Sequence, residues 1–104
     1  MKINKNILIC KGVRFYSPKD EAAFFEWIKK IDCIENISAA SDELYLEITS
    51  IDLHDSDLRE LLALFHRYQI DMKQLSIFLN KANKKWFFNN KKAFWHGNVF
   101  GLEK

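Results

Sequence analysis

Residues 43–49 read Glu43-Leu44-Tyr45-Leu46-Glu47-Ile48-Thr49. Leu44, Leu46 and Ile48 fall on one side of an extended chain, and Tyr45, Glu47 and Thr49 fall on the other, because successive strand side chains point to opposite faces. That alternation marks a half-buried strand of an antiparallel sheet. Immediately upstream, Ala39-Ala40-Ser41-Asp42 is suited to a hairpin connection, although it lacks glycine, and residues 33–38 supply a short partner strand. Before these comes a helix. Ser17 is a favourable N-cap, Pro18 suits the first helical position, and Asp20 and Glu21 sit where the helix dipole favours acids. Phe24, Phe25, Trp27, Ile28 and Ile31 recur at three- and four-residue spacing, so the helix runs to about Ile31 with one apolar face. Residues 6–16 read as a further strand, with Gly12 marking a bulge or bend.

Downstream the pattern turns helical. Asp55 or Ser56 is expected to cap a helix carrying Leu58, Leu61, Leu62, Phe65 and Tyr68. Asp71 is expected to cap a third helix with Met72, Leu75, Phe78 and Leu79. After Asn80 the periodicity fades into lysines, asparagines and aromatics, where short helical turns and loops are expected. The order β-α-β-β-α-α predicts an α+β fold: a small three-stranded, mainly antiparallel sheet with helices packed on one face and an irregular aromatic C-terminal segment. One domain spanning residues 1–104 is expected.

Composition narrows the function classes. Hydrophobic residues make up 48% of the chain, with only 3 Gly and 1 Pro, which excludes a disordered chain. No apolar stretch approaches a membrane span, and the run at residues 7–10 is too short for a signal peptide, so a cytoplasmic location is expected. Cys10 and Cys33 fit that reading as buried free thiols. A net charge of +2 does not by itself argue for nucleic acid. It hides an uneven distribution, however. Residues 42–60 hold seven acids and one base, Arg59, whereas residues 81–104 hold six lysines and one acid, Glu103.

Asp52, His54, Asp55 and Asp57 form the densest ligand-like cluster. Hard oxygens and one imidazole can hold a divalent cation. The cluster lacks the glycine and distant glutamate of a calcium loop, and it lacks the second His or Cys of a zinc site. Acids gathered at a helix start form an anionic patch by the same arrangement, and no metal is assigned. Neither cysteine has a recognisable base partner. Three glycines at positions 12, 97 and 101 cannot build a phosphate loop. No catalytic residue and no cofactor is assigned. The C-terminal run offers a nucleic-acid reading, in which Lys84, Lys85, Lys91 and Lys92 meet phosphates while Trp86 and Trp95 stack bases. Against it, the segment has no arginine, and its rings can equally pack as a wrap over the core.

Phe15-Tyr16-Ser17-Pro18 followed by Phe24-Phe25-Glu26-Trp27-Ile28, together with the closing run from Trp86-Phe87-Phe88-Asn89-Asn90 through Lys91-Lys92-Ala93-Phe94-Trp95-His96 to Val99-Phe100-Gly101, resembles small bacterial immunity proteins encoded beside polymorphic or contact-dependent growth inhibition toxins. The likeness is one of size, style and composition, and it spans most of the chain. It implies a stoichiometric inhibitor that binds a cognate toxin domain in the cytoplasm and has no enzymatic activity. If that toxin is a nuclease, its substrate channel is basic, and acids on one face of the inhibitor would steer the encounter. Asp52, Asp55, Asp57 and Glu60 are the expected patch, joined by Glu43 and Glu47 if that strand face meets solvent. The alternative expectation is a small nucleic-acid-binding module built on the basic-aromatic C-terminal segment.

Overall fold

The computed structural model describes residues 6–101. Glu103 and Lys104 of the charged C-terminal stretch lie outside the described residues. The sheet contains β1 (Asn6–Lys11), β2 (Ile34–Ala40) and β3 (Glu43–Ile48) in the order β1-β3-β2, antiparallel throughout. The alternating strand is therefore central. Leu46 pairs with Leu8 on one side and Ile37 on the other, and Leu44 pairs with Cys10 and Ala39. These rows face the core, where Leu8, Cys10, Leu46 and Ile48 are buried. Glu35 is the extra residue of a bulge, because Ile34 pairs with Ile48 while Asn36 pairs with Glu47.

The hairpin between β2 and β3 is closed by Ser41 and Asp42, with Ser41 left-handed at φ 59°. A two-residue hairpin loop needs such a backbone. The first strand is shorter than the sequence predicts. It stops at Lys11 because Gly12 adopts φ 62° and donates its N–H to Asp42 O at 2.9 Å. No atom would crowd a Cβ there, so the backbone angle is what glycine supplies. The expected bend at Gly12 is thus the end of the strand, and Val13 to Tyr16 lead into the first helix.

Helix α1 (Pro18–Lys29) forms as its punctuation requires. Ser17 Oγ accepts from Asp20 N at 3.1 Å, Pro18 opens the first turn, and Phe24 and Ile28 are buried. Helix α2 (Asp55–Arg67) buries Leu58, Leu61, Leu62, Leu64 and Phe65. Its start differs from expectation. His54 holds the N-cap position without a side-chain bond, and Asp55 and Asp57 lie in the first turn, where a carboxylate acts on the dipole rather than as a cap. The helix ends in a Schellman arrangement: Ile70 N donates to Phe65 O at 2.9 Å and Gln69 N to His66 O at 3.3 Å.

Asp71 does cap the next element, accepting from Lys73 N at 3.0 Å, but Met72–Phe78 winds as a 3-10 helix. It closes one sheet edge. Gln74 Oε1 accepts from Ile9 N at 2.8 Å, and Gln74 Nε2 donates to Ile9 O at 2.8 Å. A side-chain amide thereby stands where a neighbouring strand would be, and it satisfies backbone groups that an edge strand leaves open. Two short helices come next, α3 (Lys84–Phe87) and α4 (His96–Phe100), as expected after Asn80. Phe87, Trp95 and Val99 join the same core cluster as the sheet and the long helices. No helix among the described residues is long and apolar enough to cross a membrane.

Candidate functional site

Among the described residues, the sheet is covered on one side only. On β1, Leu8 and Cys10 are buried, while Ile7 is 48% exposed and Ile9 is 41% exposed. The register places Ile7 opposite Glu47, Ile9 opposite Tyr45 and Lys11 opposite Glu43. These six side chains share the open face. The β2 residues opposite Glu47, Tyr45 and Glu43 are Asn36, Ser38 and Ala40. The Tyr45 hydroxyl donates to the Glu43 carboxylate, and this bond with partial burial raises the Tyr45 pKa. The face thus carries two exposed branched aliphatic side chains, a half-buried aromatic ring, two carboxylates and the exposed Lys11 ammonium opposite Glu43, one net negative charge in all.

Sequence alternation points to Glu43 and Glu47 here and misses Ile7 and Ile9. A signal for the two isoleucines is present all the same. Ile7-Leu8-Ile9-Cys10 is apolar at every position, a pattern expected of a strand covered on both faces. Among the described residues only one face is covered.

The remaining acids lie elsewhere. Asp57 and Glu60 line a cleft in the helical layer together with Trp27, Lys30, Ile31 and Asp32. Glu60 Oε1 accepts from Trp27 Nε1 at 2.8 Å, which ties α2 to α1. Asp52 and Asp55 are exposed before and at the start of α2, and Asp52 N donates to Ser50 Oγ at 3.0 Å. The fold therefore brings Asp57 and Glu60 to one cleft and sets Glu43 and Glu47 on the open side of the sheet. Among the described residues, no group of three or more His, Cys, Asp or Glu side chains is placed to hold a metal ion.

The C-terminal candidates separate by residue type. Lys84, Lys85, Lys91 and Lys92 are exposed. Trp95 is 7% exposed and donates Nε1 to Phe87 O at 3.0 Å. Trp86 is half-buried, its ring lies 3.9 Å from the Arg59 guanidinium carbon, and the Trp95 ring meets it edge-on at 5.7 Å. Stacking a base on either indole requires the ring to leave these partners.

Cys10 and Cys33 are buried and free. Desolvation pushes both thiols up from about 9.0 to about 12, with Asp57 adding to the effect at Cys33. Both stay protonated at neutral pH, and a protonated thiol is a poor nucleophile. Set against protein-family models, curated proteins and solved structures, the chain matches none of them.

Proposed function

We propose that this chain is a binding protein, an immunity protein that neutralises a cognate bacterial toxin domain by one-to-one association in the cytoplasm, and that the toxin is a nuclease. The observation that carries the reading is the open sheet face. Ile7 and Ile9 supply apolar contact area beside Tyr45, and Glu43 and Glu47, set against the single Lys11, leave net negative charge at the same place. Aromatic and aliphatic anchors flanked by charge are what a protein interface uses. A nuclease presents a basic channel, which complements these carboxylates. Asp52, Asp55, Asp57 and Glu60 contribute through the long-range field rather than through the contact itself.

The test is co-expression with the toxin domain encoded by the adjacent open reading frame. Rescue of growth and co-purification at equal stoichiometry are expected, and failure of both overturns the proposal. Ile7→Ser with Ile9→Ser is expected to weaken the complex at least tenfold, or about 1.4 kcal/mol. Reversing Asp55 and Asp57 to lysine mainly slows association and flattens its salt dependence. The alternative, a nucleic-acid-binding module, is supported by the four exposed lysines alone. A gel shift at low salt with single-stranded and duplex DNA and RNA distinguishes it.

A further inference from the structure

The chain has three arginines among its sixteen lysine and arginine residues, and two of them line one cleft. Arg59 is occupied by the Trp86 ring. Arg14, from the segment after β1, and Arg67, from the last turn of α2, line a cavity of about 470 Å³. Neither makes an ion pair among the described residues.

Asp20 is the acidic residue lining the cavity, and both its oxygens are engaged. Oδ2 accepts from Tyr16 N at 2.9 Å and Oδ1 from the Tyr68 hydroxyl at 3.2 Å. Two guanidinium groups and one carboxylate leave the lining with one net positive charge. The guanidinium is a planar fork of donors matched to carboxylate and phosphate oxygens, and lysine, which supplies thirteen of the chain's sixteen cationic residues, lacks that geometry.

Gln69 completes the wall, and its backbone is left-handed at φ 58°. That position after a helix is where glycine is favoured. Glutamine holds it here against the steric preference and brings an amide to the cavity wall. Tyr16, 83% exposed, stands at the lip as an unobstructed ring. The volume lies in the range of about 300–1,000 Å³ common to small-molecule sites.

We infer that this cleft binds a small molecule through a singly charged oxyanion, a carboxylate or a phosphate monoanion, gripped between Arg14 and Arg67. The inference is independent of the sheet face and stands or falls without it.

The test is a heteronuclear NMR titration of the full chain at pH 6, with benzoate in one arm and inorganic phosphate in the other. Saturable shifts are expected at the Arg14 and Arg67 Nε–H signals and at the Gln69 side-chain amide. Saturation by benzoate alone identifies a carboxylate site, saturation by phosphate alone a phosphate site, and saturation by both a general oxyanion site. The paired change Arg14→Lys with Arg67→Lys keeps the charge and removes the forks. It is expected to weaken binding at least tenfold while the remaining spectrum keeps its dispersion. Saturation by neither ligand overturns the inference. So do shifts of equal size at Lys91 and Lys92, or an unchanged affinity in the double variant.

Discussion

Two groups of aromatic rings pack in this molecule, and they are assembled by different means. The first gathers Phe15, Phe24, Phe25, Trp27 and Tyr68, with Phe24 and Tyr68 edge-to-face at 4.8 Å and Phe15 and Phe24 at 5.3 Å. Regular helices supply most of its members, so spacing in the sequence announces them. The second gathers Trp86, Phe87, Phe88, Phe94, Trp95, His96 and Phe100, with Phe88 and Phe100 at 4.9 Å and Phe87 and Phe100 at 5.0 Å. Its helices are four and five residues long, too short to show a period. Polar side chains hold it to backbone carbonyls instead. Trp95 donates to Phe87 O, and His96 Nε2 stands 2.7 Å from Phe88 O, which fixes the proton on that nitrogen. Asn83 donates Nδ2 to Phe78 O at 2.8 Å and trades side-chain-to-backbone bonds with Asn80 at 2.9 Å in each direction. A core can therefore be built without periodicity when buried hydrogen bonds replace the regular ladder as the positioning device.

The largest effects test whether both groups are equally core. Phe24 and Phe87 are each fully buried. Phe24→Ala and Phe87→Ala are each expected to cost about 3–5 kcal/mol, read by urea denaturation. A loss below about 1 kcal/mol for Phe87→Ala would show the C-terminal segment to be an appendage. The next effect probes the device peculiar to the second group. Asn83→Ala removes the donor to Phe78 O and the acceptor for Asn80 N inside the protein. A loss of about 2 kcal/mol is expected in the same measurement. An unchanged midpoint would mean that ring packing alone positions the segment.

The contrast also explains what can be read from the sequence. The central strand, α1 and α2 are legible because alternation and helical spacing both survive in the residue order. Ser17 and Asp71 are legible as caps because a short polar side chain before an apolar run has few other uses. The α2 cap falls on His54 and not on Asp55 or Ser56, because Asp and Ser suit both the cap and the first turn, and His54 gives no competing signal. The 3-10 winding of Met72–Phe78 is hidden because seven residues with apolar positions three apart fit either helix. Gln74 pairing with Ile9 spans 65 positions, and nothing local encodes it. For the candidate surface, Glu43 and Glu47 are legible from alternation, whereas Ile7 and Ile9 are masked by a run that is apolar throughout. The lysine-rich tail cannot be divided from sequence, since wrap and anchor use the same residues. The structure buries Trp95 in the core, packs Trp86 against it, and leaves Lys81, Lys84, Lys85, Lys91 and Lys92 exposed.

Smaller effects come from the helix ends of the first region. Ser17→Ala removes the bond to Asp20 N and is expected to cost about 1 kcal/mol. His54 has an extended backbone at φ −64°, ψ 148°, compatible with a cap, but it contributes no side-chain bond. His54→Ser is therefore expected to stabilise by about 0.5–1 kcal/mol, raising the thermal midpoint. A lowered midpoint would indicate that the imidazole contributes something other than capping.

The smallest effect lies at the rim of the second group. Phe94 is 51% exposed, with its ring 4.7 Å from His66 and 5.1 Å from Trp95. It is half in water already, so little transfer energy is lost on truncation, and solvent can fill the space left behind. Phe94→Ala is expected to cost about 0.5–1 kcal/mol, most of it from the lost ring pairs. Measured beside Phe87→Ala, it separates a layered cluster, with a dry centre and a wet rim, from a uniform one. Equal losses at the two positions would mean that Phe94 is buried in solution and that the segment folds back further than its exposed ring implies.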